Sequence, residues 1–120
     1  MKTMLSAFVA AAALTVAAGG AQAAGCDITV GVVMELTGPA GEYGQAGSKS
    51  VEMAFRDLNE AGGVNGCKLV TDTRDSQSQG NVAVDAATQL VQVKKVPVII
   101  GGIISSVSIP CCSWIASTQY

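Results

Sequence analysis

The stretch that decides the fold is residues 28–47, which read ITVGVVM at 28–34, EL at 35–36 and TGPAGEYGQAG at 37–47. A short, almost uniformly apolar and β-branched run is typical of a strand buried on both faces of a parallel sheet. The glycine-punctuated segment that follows predicts a loop, and open α/β sheets bind ligands at the carboxyl ends of such strands. We therefore expect a first strand over 28–34 that leads into a binding loop over 37–47.

The next residues predict a helix, a turn and a second strand. Apolar residues recur at intervals of three and four, and this spacing predicts one inward-facing stripe, formed by Val51, Ala54, Phe55, Leu58 and Ala61. Gly62-Gly63 is a typical helix end, and Asn65-Gly66 predicts a tight turn. A second strand is then expected over 68–72, followed by a polar loop over 73–77.

A second helix, a third strand and a third helix complete the pattern. Ser78 is the expected N-cap of the second helix, and its inward-facing residues are expected to be Val82, Ala86, Leu90 and Val93. The third strand is expected over 96–102, where Pro97 is acceptable because it lies near the start. This alternation predicts an α/β fold with a right-handed parallel sheet flanked by helices.

Residues 1–23 have the pattern of a signal peptide. Lys2 gives a positive start, an alanine-rich apolar core runs over 4–18, and small residues precede the expected cleavage after Ala23. A membrane anchor is the weaker alternative because the core is shorter than the ~20 strongly apolar residues that a span needs. Lipidation of Cys26 is a lesser alternative, since the residue three before it is small. We expect export to the periplasm.

Composition excludes several classes of function. Removal of Lys2 with the signal peptide leaves six of the seven basic residues against nine acidic ones. The only adjacent basic pair, Lys94-Lys95, falls at a predicted helix end, where cations favour the helix dipole, so no nucleic-acid partner is expected. The sequence contains no histidine, which excludes Ser-His and Cys-His catalysis and His-ligated metals from this chain.

The four cysteines fall into two pairs. Cys26 and Cys67 precede the first and second strands, so they lie at the same end of neighbouring parallel strands, and we predict a disulfide between them in an oxidising compartment. Cys111 and Cys112 are adjacent, fit no C-x-x-C pattern and have no histidine nearby, so a metal site is not expected.

The glycines at 38, 41, 44 and 47 leave a nucleotide-binding alternative. They are three residues apart, whereas the G-x-G-x-x-G fingerprint needs two glycines two apart, and Glu42 would repel phosphate. Asp72, at the end of the predicted second strand, resembles a ribose-binding acid only weakly. An NAD(P)-binding Rossmann-type enzyme fragment is therefore the second hypothesis.

Several motifs occur together in the order and spacing of one known family. They are LTGP at 36–39, EYG at 42–44, LNEAGGVNG at 58–66, residues 72–76, and IIGG at 99–102 with the serines at 105–106. Residues 28–110 resemble the amino-terminal part of the extracytoplasmic solute-binding proteins of ABC importers for branched-chain amino acids, amides and urea. The resemblance implies part of a type I periplasmic binding protein lobe that binds a small solute, delivers it to a membrane permease, and has no enzymatic activity or cofactor.

The resemblance also implies three ligand-binding residues. Tyr43 matches the aromatic residue that packs on the bound amino acid, and Ser105 matches the residue whose hydroxyl and amide hold the ligand carboxylate, with Ser106 beside it. From the residues alone, a serine after a strand is more often an N-cap, and Tyr43 could be an ordinary loop aromatic. Sensor ectodomains share this fold, so a ligand-sensing ectodomain is a further alternative.

The expected domain organisation is a signal peptide over 1–23, a partial amino-terminal lobe over 24–110 and a divergent tail over 111–120. The tail does not resemble the family's continuation, which suggests a truncated or frameshifted product. Three parallel strands with an uncovered edge bury little core and leave hydrogen-bonding groups open. We therefore expect the chain without its signal peptide to be marginally stable or to aggregate.

Overall fold

The computed structural model describes residues 26–118, so the predicted signal peptide lies outside the described residues. Its elements alternate as the sequence predicts: β1 (Asp27–Met34), α1 (Gly41–Glu60), β2 (Lys68–Asp75), α2 (Gly80–Thr88), a π-helical turn (Gln89–Val93), β3 (Ile99–Gly101) and α3 (Ser105–Ser117). The predicted fold class, a parallel α/β sheet flanked by helices, is confirmed.

The sheet has the strand order β2-β1-β3, with β1 in the centre. Both pairings are parallel: Asp27 to Met34 pair with Lys68 to Asp75, and residues 31–33 pair with 99–101. The middle and end of β1 are buried, as its uniformly apolar sequence predicts. Because successive side chains of a strand point to opposite faces, β1 contributes to the packing on both sides of the sheet.

The main core lies on the face that α2 and α3 cover. Its buried members are Val33, Ala83, Ala86, Ala87, Leu90, Val96, Val107 and Cys111. Helix α1 contributes no residue to this cluster and contacts the other face, where Gly47 lies against Met34. The three strands are therefore anchored mainly by the second half of the chain.

Helix α1 begins earlier than the sequence predicts. The glycines at 41, 44 and 47 are helical, and the loop after β1 spans only residues 35–40. Gly44 is buried, and a Cβ atom there would overlap the backbone of Glu35. These glycines therefore allow α1 to pack closely against the end of β1. They do not mark a flexible loop, although their spacing resembles one.

The predicted burial of the inward-facing stripe of α1 is wrong. None of its five residues is buried; Leu58 is 47% exposed, and Ala54 and Ala61 are also exposed. The buried residues of α1 are Gly41, Gly44 and Ser48 at its amino end. The apolar periodicity correctly identified one face of a helix, but periodicity carries no information about what covers that face. Phe55, one of the five residues, lines an open groove of about 530 Å³ beside the start of β2.

The end of α1 follows the prediction. The amide of Gly63 donates to the carbonyl of Leu58 at 2.9 Å, and both Gly62 and Gly63 have positive φ. Asn65 and Gly66 have φ of 52° and 82°, a pair of left-handed conformations typical of a type I′ turn. This turn returns the chain to Cys67 and the start of β2.

Two predictions about α2 are wrong. Its N-cap residue is Gln79, not Ser78, and no side chain caps this end. Val93 is 73% exposed, whereas Leu90 and Val91 are buried. The cause is the π-helical turn, in which the amide of Lys94 donates to the carbonyl of Gln89 at 3.0 Å. This wider turn rotates the later side chains, so the α-helical spacing fails after Leu90.

The strand bounds also differ from the prediction. β2 continues to Asp75, so Asp72 lies within the strand, and β3 is limited to residues 99–101. Helix α3 follows the third strand, begins at Ser105 and continues through Pro110 to Ser117; its N-cap is Ile104, so neither serine has the capping role that the residues alone favour. The predicted domain boundary after residue 110 therefore falls within α3 and stays a prediction. No helix within residues 26–118 is long and apolar enough to cross a membrane.

Candidate functional site

Three loops emerge at the carboxyl edge of the sheet. They follow β1 (residues 35–40), β2 (76–79) and β3 (102–104). Because the strands are parallel, the three loops and the amino ends of the helices that follow them lie along one edge. This edge carries all three residues that the family resemblance implies for ligand binding.

Asp75 joins the first loop to the end of β2. Its carboxylate accepts hydrogen bonds from the amides of Leu36 at 2.9 Å and Thr37 at 3.1 Å, and from the Thr37 hydroxyl at 2.6 Å. The amide of Gln77 donates to it at 2.8 Å. Burial alone would raise the pKa of Asp75, but these hydrogen bonds together outweigh burial and lower it.

Ser78 makes a second connection between the same loops. Its hydroxyl donates to the Thr37 carbonyl at 2.9 Å and accepts from the Ala40 amide at 3.1 Å. This is the physical reason that it does not cap α2, since its hydroxyl already binds the first loop. The start of α1 is thus fixed by hydrogen bonds across some 40 residues of sequence, with separations of 38 and 41 residues.

Glu35 joins the first loop to the third. Its side chain is fully buried. Its Oε1 atom accepts hydrogen bonds from the amides of Ile103 at 3.0 Å and Ile104 at 3.2 Å, and Oε2 lies 3.3 Å from the Ile103 amide. Ile104 is the N-cap of α3, so the carboxylate of Glu35 ends directly beneath the start of that helix.

Ser105 and Ser106 are the first two residues of α3, and both are exposed. The amides of Val107 and Ser108 donate to the Ile104 carbonyl. By contrast, no hydrogen bond among residues 26–118 uses the amides of Ser105 or Ser106 as donors. Two amides and two hydroxyls are therefore available together at the positive end of a helix dipole, where a carboxylate binds favourably.

Tyr43 lies in the first turn of α1 and is 66% exposed. It stands one turn before Gly47, so the two residues share a face of the helix. A Cβ atom on Gly47 would lie 2.7 Å from Cδ1 of Ile103, which shows that this face of α1 contacts the third loop. The structure therefore places Tyr43 and the two serines on neighbouring elements of one edge.

Sequence reasoning missed the three residues that hold the loops together. From the sequence, Asp75 is expected in a polar loop and Ser78 at a helix cap, and Glu35 is assigned no role. A usable signal existed for Glu35, because a single acid directly after a buried apolar strand needs a hydrogen-bonding partner.

The opposite end of the sheet carries the disulfide. Cys26 and Cys67 are bonded, with their Cα atoms 4.9 Å apart, which confirms the predicted pairing. The bond occupies the thiol of Cys26 and so argues against lipidation there. At mid-strand, Asp72 binds Arg74 at 2.7 Å, an arrangement that leaves the acid engaged rather than presented to a ribose.

The sequence model of the family described as "Periplasmic binding protein" matches residues 27–119. The chain belongs to the periplasmic binding protein family. A Leu/Ile/Val-binding protein homologue from Brucella melitensis biotype 1 is 36% identical over 92 residues, which are 77% of this chain and 25% of that protein. The Leu/Ile/Val-binding protein BraC3 from Rhizobium johnstonii is 31% identical over 110 residues, or 92% of this chain and 28% of that protein.

Solved structures of periplasmic binding proteins share the fold. The branched-chain amino acid transporter substrate binding protein LivJ from Streptococcus pneumoniae, in complex with isoleucine, superposes with a TM-score of 0.74 at 26% identity, covering 77% of this chain and 26% of that one. The leucine binding protein LivK from Thermotoga maritima superposes with a TM-score of 0.68 at 22% identity. The chain thus spans about a quarter of the length of these relatives.

Proposed function

We propose that this protein contributes the amino-terminal part of the ligand site in a substrate-binding component of an ABC importer. The observation that carries the proposal is the pair of available amides at Ser105 and Ser106, at the start of α3. They lie on the same edge as the exposed ring of Tyr43. Membership of the periplasmic binding protein family gives this edge its expected role.

The chemistry of the edge favours a small monocarboxylate. Two adjacent amides can donate to the two oxygens of one carboxylate, and the Ser105 hydroxyl can add a third hydrogen bond. Tyr43 offers an apolar ring surface on the same edge of the sheet, which suits an aliphatic side chain. A branched-chain amino acid combines these two features, and the relatives named for leucine, isoleucine and valine support that choice.

Other parts of the proposal come from the family alone. The partner that receives the ligand would be an ABC permease, and the location would be the periplasm, reached through the predicted signal peptide over 1–23. Amides and urea are the other solute classes that the resemblance allows. The NAD(P)-binding alternative is not favoured, because the relatives are binding proteins of transporters and Asp72 is paired with Arg74. No observation favours a sensor ectodomain.

The test is an isoleucine titration of the ¹⁵N-labelled chain, followed by amide chemical shifts. We expect the largest shift changes at Ser105, Ser106 and Tyr43. Replacing Ser105 by Ala removes one hydrogen bond to a charged group and should weaken binding about tenfold. The same replacement at Ser113, an exposed serine further along α3, is the matched control and should leave binding unchanged.

Two results would contradict the proposal. One is the absence of any isoleucine-dependent shift in a folded chain at saturating concentrations. The other is equal weakening by Ser105→Ala and Ser113→Ala, which would mean that the start of α3 holds no special position in the site.

A further inference from the structure

Glu35 is an unusual residue for the end of a core strand. Its carboxyl group is fully buried, and none of the ion pairs among residues 26–118 includes it. Its partners are instead the two consecutive amides of Ile103 and Ile104. A buried carboxylate without a cation is unfavourable unless donors are aimed at it, so the amides and the positive end of α3 must compensate for its burial.

We infer that Glu35 is a positioning residue for the carboxylate-binding start of α3. This inference rests on the proposed function and adds to it a residue that does not itself touch the ligand. Glu35 binds the amide of the N-cap residue, Ile104, and the amide before it. The next two amides along the chain, of Ser105 and Ser106, are the available pair.

The connection between Glu35 and the available amides is short and direct. Fixing the amides of Ile103 and Ile104 places the Cα atom of Ile104, from which the peptide that carries the Ser105 amide starts. The carbonyl of that planar peptide accepts hydrogen bonds from the amides of Val107 and Ser108, so the direction of the Ser105 amide is set as well. Glu35 is itself held in place because Gly44 of α1 packs on its backbone. The first loop, α1 and the third loop therefore meet at this one carboxylate.

Glu35 also satisfies the amides that a ligand does not need. Without it, four consecutive amides, from Ile103 to Ser106, would compete for one small carboxylate. With it, only the pair at the start of α3 remains, so the ligand has a single register in which to bind. Preorganised donors of this kind raise affinity because they need not be ordered when the ligand binds.

Two conservative variants test separately whether the length or the charge of the Glu35 side chain matters. Glu35→Gln keeps the side-chain length and an oxygen at the Oε1 position, which is the atom that accepts both amides. Glu35→Asp keeps the charge but is shorter by one methylene, about 1.5 Å, so both hydrogen bonds become too long. A positioning role predicts that Gln restores function and that Asp does not.

The measurements are amide hydrogen exchange at Ile103 and Ile104, amide shifts of Ser105 and Ser106, and affinity for isoleucine. Glu35→Gln should stay within about threefold of the parent in exchange rate and affinity. Glu35→Asp should raise both exchange rates at least about tenfold, move both serine amide shifts, and weaken isoleucine binding by about tenfold or more. Glu52→Asp makes the same chemical change at an exposed position of α1 and is the matched control, which should leave exchange at Ile103 and Ile104 unchanged.

The inference is overturned if a folded Glu35→Asp chain binds isoleucine as the parent does with unchanged serine shifts. It is also overturned if folded Glu35→Gln loses binding, since charge rather than reach would then matter; this variant decides alone if Glu35→Asp fails to fold. If the parent chain binds no isoleucine, the proposed function fails, and the exchange rates and serine shifts still decide whether Glu35 orients the start of α3.

Discussion

At the scale of single residues, Asp75 gives the clearest dependence on pH. Hydrogen bonds from Thr37, Gln77 and Leu36 lower its pKa despite the opposing effect of burial. A carboxyl group whose pKa is lower in the folded state stabilises the fold when it is ionised. That stabilisation is fully present above the unfolded pKa of about 3.9 and is lost as the pH falls through the folded value.

Asp75→Asn should therefore destabilise the protein by about 1–2 kcal/mol at neutral pH, because Asn lacks the second oxygen that accepts the Thr37 hydroxyl. The difference between parent and variant should shrink as the pH falls below about 4. Urea unfolding at a series of pH values measures it. Asp85→Asn, at an exposed position of α2, is the control. A difference that is independent of pH would contradict the assigned role of Asp75.

Individual residues were predicted best where they form regular patterns. Cys26 and Cys67 were paired correctly because parallel strands bring their first residues together. Ser78 was misassigned because the same hydroxyl chemistry suits a helix cap and a link between loops, and sequence alone cannot say which backbone groups lie nearby. Glu35 was missed for the same reason, since both of its partners are 68 or more residues away.

At the scale of elements, the disulfide holds β1 and β2 together at their amino ends. The two cysteines are 41 residues apart in sequence. Closing a loop of this size in the unfolded chain corresponds to about 4 kcal/mol of stabilisation in the chain-entropy treatment.

We expect reduction, or the double change of Cys26 and Cys67 to Ser, to lower the free energy of unfolding by an amount of that order. Cys112→Ser, which removes an exposed free thiol, should leave it unchanged. Alkylation of the unreduced protein followed by intact mass checks the pairing itself. Labels on Cys26 and Cys67 without prior reduction would refute it.

Helix and strand identities followed from periodicity, but their bounds and faces did not always do so. α1 was predicted too short because glycines usually interrupt helices, and here close packing on Glu35 requires a glycine at position 44, within the first turns of the helix. The far end of α2 was wrong because the π-helical turn at 89–93 breaks the α-helical spacing. Neither feature can be read from local propensity, since both depend on the element that packs against them.

At the scale of the whole molecule, the described chain leaves much apolar surface uncovered. β2 and β3 are both edge strands. Large apolar side chains are exposed on several elements, among them Val70 at 41%, Val93 at 73% and Ile109 at 64%. Open edges together with exposed apolar side chains favour association between chains.

We therefore expect residues 24–120 to self-associate, with a weight-average mass that rises with concentration in sedimentation experiments. Val70→Lys places a charge on the open edge of β2 and should shift the protein towards the monomer. Gln92→Lys adds the same charge at an exposed position away from that edge and should have little effect. Cooperative unfolding of a soluble monomer at all concentrations would contradict this expectation.

The overall topology was the most predictable feature of the molecule. A strand-helix alternation with short connections leaves few arrangements of a parallel sheet, and the observed arrangement is one of them. The candidate site was placed at the correct edge for the same reason. The residues that shape that edge were less predictable, because they are connected by hydrogen bonds between distant parts of the sequence.

The central position of β1 has a consequence for the order of folding. β1 is the first of the described strands along the chain, yet its residues pair with residues 41 positions later in β2 and 68 positions later in β3. High sequence separation of this kind slows folding. β1, an apolar strand, therefore has no partner on either hydrogen-bonding edge until the later parts of the chain are available. We expect β1 and β2 to pair first, because their sequence separation is smaller, and this pair to become stable only when α2, β3 and α3 complete the core.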